Sequence, residues 1–318
     1  RMARLTTQEI SLQKRELVKR KRDLTKGKLI VFAALAVALL VVAVFGQWMT
    51  PCDHYSQNLS QSLAAPSAEH WLGCDKYGRD LLSRVIIGAQ TTVFSALVLV
   101  AGITILGTVV GVIAGYVGGW LDSLLMRISD IFLAFPEMVF AISVAAVIPG
   151  GIWAAVVAVG LIAWPRYARI ARSQVLAMKN NTYMQAAKLS GFPWHHILWK
   201  YIFPNIVGPI IVTAALDIGA MIMNLAGLSF LGLGAKPPIA EWGSMMSESR
   251  SSLQTAPWVI LAPGLAIFIT VVILNLLGDT VRDLLDPKQK RRSLKDTARN
   301  FKKLVGGRVE CPTVKEKE

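Results

Sequence analysis

Residues 92–116 read TVFSALVLVAGITILGTVVGVIAGY, 25 positions without one charged side chain. At 1.5 Å per residue, a helix of that length crosses the roughly 30 Å of hydrocarbon in a bilayer. Gly107, Gly111 and Gly115 recur every four residues inside it. That spacing removes side chains from one helix face and lets a neighbouring helix approach closely. The stretch reads as a transmembrane helix that packs through its glycines. A lipid-spanning strand would instead alternate apolar and polar residues over about ten positions, which excludes a β-barrel.

Working outward, the same length and composition recur at residues 29–49, 123–148, 152–165 (with helix continuing beyond), 206–233 and 259–277. The run at 29–49 follows a basic segment. Its 21 uncharged residues exceed the roughly 7–15 of a signal-peptide core, so it is expected to stay as a first span. The chain has 318 residues, 53% apolar and only 17% charged, against about 25% charged in ordinary soluble domains.

Charge is sorted along the chain. Residues 1–28 hold ten Lys/Arg and three acids; 166–200 hold six basic residues and no acid; 279–318 hold twelve basic and seven acidic residues. The intervening segments 50–90 and 234–258 have no positive excess. Basic segments mark the cytoplasmic side. The pattern predicts an all-α membrane protein with six transmembrane helices and both termini in the cytoplasm. The predicted order is a basic segment 1–28, a first helix 29–49 and an extracytoplasmic loop 50–90 with a short amphipathic helix. A five-helix core 91–280 follows, with a cytoplasmic loop at 179–204, and then a tail 281–318 whose end is disordered. The net charge of +14 is thereby read as topology and lipid contact, not as a nucleic-acid surface.

Catalytic signatures are missing from this sequence. There is no G-x-x-x-x-G-K-[ST], no H-E-x-x-H and no G-x-S-x-G, and His54, His70, His195 and His196 all fall outside the spans. The chain is therefore read as having no nucleotide site, no metal site and no cofactor of its own.

The most informative polar stretch is Thr182 to Asn205, TYMQAAKLSGFPWHHILWKYIFPN. It predicts a short helix, a break at Gly191, where a positive φ is available, and a second amphipathic helix stopped by Pro204. Ala186 and Ala187 offer a smooth surface to another protein. On physics alone, a docking site and an interfacial hairpin anchored by Trp194, Trp199 and Tyr201 stand level. The stretch resembles the EAA loop of importer-type ABC permeases, with Ala186, Ala187, Gly191 and Pro204 at the family spacing. Gln185 stands where the family has Glu, and Phe203 where it has Leu. The resemblance implies a coupling helix that enters a cleft in an ATPase subunit, with shape rather than a salt bridge at position 185.

Other motifs agree. Gly73-Cys74-Asp75-Lys76-Tyr77-Gly78-Arg79-Asp80 is similar to the G-T-D-x-x-G-R-D segment of the dipeptide/oligopeptide/nickel permeases of the type labelled C. Leu228 to Gly234, Glu241-Trp242-Gly243 and Gly278-Asp279 through Asp286-Pro287 also match, in order, so the resemblance covers about residues 29–290. It implies a type I importer permease fold and a second, homologous permease subunit. It also implies two ATPases docking on 182–204, with ATP and Mg on them, and an extracytoplasmic binding protein. Asp217-Ile218-Gly219 with Met221 resembles nickel or metal-chelate permeases more than peptide ones, so nickel or a metal chelate is the expected cargo and short peptides the alternative.

Asp217 sits in mid-span, where a carboxylate costs on the order of 2.5–3.5 kcal/mol on insertion scales, and Met221 and Asn224 follow at i+4 and i+7 on its face. Two readings stand open: this face lines the translocation path, or Asp217 makes a structural hydrogen bond. Arg127 and Asp130, three apart, read as a structural pair. Cys52 and Cys74, both in the outer loop, are candidates for a disulfide. Two other classes remain. A channel or secondary transporter would need no ATPase, and a membrane-embedded enzyme would need a catalytic constellation within the spans.

Overall fold

The computed structural model describes residues 7–179 and 181–285, and its regular elements are helices, with no strand among the described residues. The helices are α1 (Thr7–Met49), α2 (Leu81–Val117), α3 (Gly119–Ala134), α4 (Glu137–Val147), α5 (Ile152–Lys179), α6 (Thr182–Leu189), α7 (Trp194–Ile197), α8 (Phe203–Phe230), α9 (Trp242–Glu248) and α10 (Trp258–Leu285). Five are long and apolar enough to cross a membrane, or up to six if the bent pair α3–α4 is one span. The chain clusters into two units. Residues 32–278 hold the helical core described below; 1–31 with 279–318 contribute the start of α1 and the end of α10. The expected tail lies outside the described residues beyond 285.

Helix α5 is the centre of the larger unit and packs on α2, α3, α4 and α8. Its tightest contact is with α2, and the glycines explain it. A methyl group on Gly107 would overlap the Trp164 carbonyl, and one on Gly111 the Ala168 carbonyl. One on Gly115 would stand 2.9 Å from Val175 Cβ. The four-residue spacing therefore is the α2–α5 seam, and backbone-to-backbone approach gives the dispersion contacts that hold helices together in lipid.

The third expected span, 123–148, is not one straight helix: α3 and α4 meet at 91°. Pro136 pushes Phe135 out of the helical region to φ −88°, ψ 142°, so α3 ends and α4 starts afresh. Residues 81–90, expected in the outer loop, already belong to α2, which Asp80 caps by accepting the Ser83 N–H at 2.8 Å. In place of a short amphipathic helix, the segment before it holds only a 3-10 turn at Leu59–Gln61.

Candidate functional site

The loop between α1 and α2 is locked to the α8–α10 connection by buried charge. The Asp75 carboxylate accepts the N–H of Tyr77 and of Arg79 on Oδ1, at 2.8 and 3.0 Å. Its Oδ2 faces Arg79 Nε at 2.6 Å and Arg84 Nε at 3.4 Å. Arg79 reaches on to Glu248 at the end of α9, at 3.2 Å, and Arg84 donates to the Pro238 carbonyl at 3.4 Å. Gly78 turns this loop at φ +70°, and a methyl there would overlap the Asn58 carbonyl. The same region is closed by Glu241, fully buried, which caps α9 by accepting the N–H of Gly243 and Ser244 at 2.9 and 2.8 Å. Burial pushes its carboxyl above the usual range, against the pull of those hydrogen bonds. Trp242 Nε1 donates to the Val85 carbonyl at 2.8 Å, tying α9 to α2. The motif residues Asp75, Gly78, Arg79 and Asp80 were legible as a resemblance; their partners Glu248 and Pro238 were not.

Cys52 and Cys74 lie in this region as free thiols, so the candidate disulfide is not formed in this structure. Cys74 is buried and Cys52 half-buried. Burial, then Asp80 and Asp75, pushes the Cys74 thiol up to about 11; burial, then Asp80 and Glu69, raises Cys52. Among the described residues one mixed donor group could hold a metal ion: Cys52, His70 and Asp80, with donor atoms within 4.8 Å of one another. His70 Nδ1 and Asp80 Oδ1 are already hydrogen-bonded at 3.0 Å, and the carboxylate caps α2, so the fold itself accounts for these two groups.

Inside the helical core, Asp217 is 4% exposed. It accepts from Arg166 Nη1 at 3.0 Å and from the Tyr167 hydroxyl at 2.9 Å. The structural hydrogen bond of the second reading is therefore present. Met221 is also buried, while Asn224, at the next level of the same face, is partly exposed and donates to Glu137 Oε1 at 2.8 Å. Asp217 and Met221 present little surface of their own. The exposed groups beside them are the Arg166 side chain, 59% exposed, and Glu137 at the start of α4. Sequence reading linked neither to α8, since Arg166 lies 51 residues from Asp217 and Glu137 lies 87 from Asn224.

Arg166 begins a ladder along α5. Arg169 pairs with Asp130 and Arg172 with Asp122, both acids from α3. Asp130 is thus held by Arg169 rather than by the expected Arg127, because α3 lies against α5 and an interhelical partner offers a closer geometry than the i,i+3 neighbour.

In the 182–204 segment, Gln185 and Ala186 are exposed and Ala187 is buried. Gly191 takes φ +72° as its expected turn requires. Met184 and Ile197 are buried, whereas Leu189, Trp194 and Trp199 stand out at 89%, 64% and 68% exposure. Pro204 does not stop the second helix. A π turn at Leu198–Ile202 carries α7 into α8, and Pro204 sits in the first turn of α8.

Known proteins fit this geometry. Residues 107–291 match the family model described as binding-protein-dependent transport system inner membrane component. The dipeptide transport system permease protein DppC of Alkalihalophilus pseudofirmus is 40% identical over 85% of this chain and 89% of its own. The probable D,D-dipeptide transport system permease protein DdpC of Escherichia coli K12 is 41% identical over 80% and 86%. The glutathione transport system permease protein GsiD of Escherichia coli O157:H7 is 43% identical over 81% and 86%. A solved structure of the MetNI methionine ABC transporter in an inward-facing conformation matches with a TM-score of 0.52 at 18% identity, covering 65% of this chain and 98% of that one, and shares the fold. The chain belongs to the binding-protein-dependent transport system inner membrane component family and is the permease subunit of an ABC importer of the inner membrane.

Proposed function

We propose that this subunit imports short peptides, with the energy supplied by ATP and Mg on partner ATPases and not by any nucleotide site of its own. Its three named relatives are dipeptide, D,D-dipeptide and glutathione permeases. They support the peptide alternative over the nickel or metal-chelate cargo that the Asp217-Ile218-Gly219 run suggested. Both termini and the 182–204 loop lie in the cytoplasm, following the basic segments. A second permease subunit completes the pore, two ATPase subunits dock on 182–204, and a binding protein delivers cargo to the opposite end.

The observation that carries this reading is the 182–204 hairpin. Its inner face is pinned by Met184, Ala187 and Ile197, and it presents Gln185, Ala186, Leu189 and Trp194 outward. A rigid short helix with small and apolar groups exposed is what a cleft in a partner can grip. Movement of that cleft on ATP binding is transmitted to α8 because α7 runs into it through the π turn. The two permease subunits then alternate between openings.

The test is purification and reconstitution of the complex with its binding protein. ATPases and a second permease are expected to co-purify, and dipeptides or glutathione to stimulate both hydrolysis and uptake. Stimulation by nickel or its chelate alone would overturn the cargo; a subunit that purifies without ATPases and transports on an ion gradient would overturn the coupling.

A further inference from the structure

Two charged side chains of opposite sign stand on one face of the core, each held by a residue of α8. Arg166 from α5 is fixed by Asp217, and Glu137 from the first turn of α4 is fixed by Asn224. Asp217 and Asn224 are seven residues apart, so they share a helix face and are separated by about 10 Å along α8. Arg166 is 59% exposed and Glu137 is exposed. Glu137 lies within the bent α3–α4 pair, and Arg166 stands where the apolar run of α5 gives way to its basic, inward half. A charge within a span or at its border is not left facing hydrocarbon; it faces water or protein. The exposed sides of Arg166 and Glu137 therefore face an aqueous path or a partner subunit.

The chemistry of the pair selects an occupant. Arg166 uses Nη1 on Asp217, and a guanidinium carries five N–H donors in a planar fork suited to a carboxylate. The Asp217 carboxylate is itself occupied on its second oxygen by the Tyr167 hydroxyl, so it positions the guanidinium from a buried, fully bonded site. Glu137 receives one neutral amide donor from Asn224 and is suited to an ammonium group. A chain of two or three residues spans about 7–10 Å when extended, close to the separation of the two α8 levels.

We propose that Glu137 and Arg166 form a two-point subsite for the termini of a zwitterionic short peptide on the translocation face. Glu137 takes the ammonium and Arg166 the carboxylate, and Asn224 and Asp217 are positioning residues. The peptide then lies with its carboxylate at the Asp217 level, nearer the 182–204 end of α8. This inference rests on the peptide-import reading.

The test uses the complete complex with its binding protein in proteoliposomes and alanyl-alanine as probe, reading dipeptide transported per ATP hydrolysed. Glu137→Gln keeps an acceptor for Asn224 and removes only the charge; Arg166→Gln removes the cation. Each is expected to lower the ratio on the order of tenfold, the scale of one charge-assisted contact, and Glu137→Lys to lower it further. An unchanged ratio in Glu137→Gln and Glu137→Lys, with the wild type transporting, overturns the subsite and leaves peptide import standing. Loss of uptake and hydrolysis in equal proportion also overturns it, since a purely structural residue would act that way. A wild-type complex that carries no dipeptide overturns the peptide reading itself.

Discussion

Arg79 and Arg84, in the clamp between the α1–α2 loop and α9, are each 1% exposed, whereas Arg166 and Arg169 on α5 leave 59% and 51% of their side chains exposed. Both sets pair with carboxylates, yet the pairs differ in kind. In the clamp, two cations share Asp75, and Glu248 completes a neutral, enclosed group. Along α5 each arginine has one carboxylate and an open side. Removing one partner from a desolvated group leaves a buried charge uncompensated, so the clamp is costly to break. Half-exposed charges keep part of their hydration and stay available to something else. The clamp is built to hold two loops together; the ladder can present charge.

The largest effect should come from breaking the clamp. Arg79→Ala takes the cation from Glu248 and leaves Asp75 to Arg84 alone, and loss of one partner of such a buried pair costs about 3–5 kcal/mol. Thermal unfolding of the purified complex should show it as a marked loss of stability. If Arg79→Ala is no worse than a substitution in the α5 ladder, the contrast between the two sets fails.

The ladder sharpens the contrast from the other side. A double-mutant cycle on Arg169 and Asp130, exposed at 51% and 61%, should give a coupling of only about 0.2–1 kcal/mol that shrinks with salt. Arg172 and Asp122 are more enclosed, at 33% and 15%, and their coupling should fall between the other two cases.

Glu241 offers a pH test at the clamp end. Its carboxyl is raised in the folded state by burial, so the folded state favours the protonated form. The stability it contributes is full below the ordinary carboxylate value, about 4.3, and is lost as pH rises through the raised one. Unfolding measured across that range should lose stability with rising pH in the wild type and lose less in Glu241→Gln. An identical slope in both would remove Glu241 as the source.

The smallest effect concerns the thiols. With Cys74 buried and its thiol near 11, a maleimide at neutral pH should label Cys52 well before Cys74. A mass two units short with neither residue labelled would show a disulfide, and the free-thiol arrangement would be wrong.

Gly107, Gly111 and Gly115 were readable as a packing seam because a missing side chain acts wherever a neighbour comes close, whichever neighbour that is. The identity of the neighbour, Trp164 to Val175 of α5, was not readable. The 182–204 hairpin was legible from Gly191 and the alanines, but the burial of Ala187 and the role of Pro204 were not, since both depend on what packs behind them. Asp217 announced itself as a charge out of place. Its partners Arg166 and Tyr167 lie about fifty residues earlier, and nothing local links them.

The sequence alone determined that this chain crosses a membrane and roughly where. Length, hydropathy and charge asymmetry are sums over one segment, and lipid acts on each segment separately. Tertiary structure decided how charges pair and where helices break. Pro165, Pro209 and Pro263 sit inside helices, while Pro136 divides α3 from α4. The residue type is the same in all four, and each removes one N–H and crowds the turn before it. Whether the helix bends through that cost or ends there depends on the packing that neighbouring helices supply, and that packing is not written in the proline's own stretch of chain.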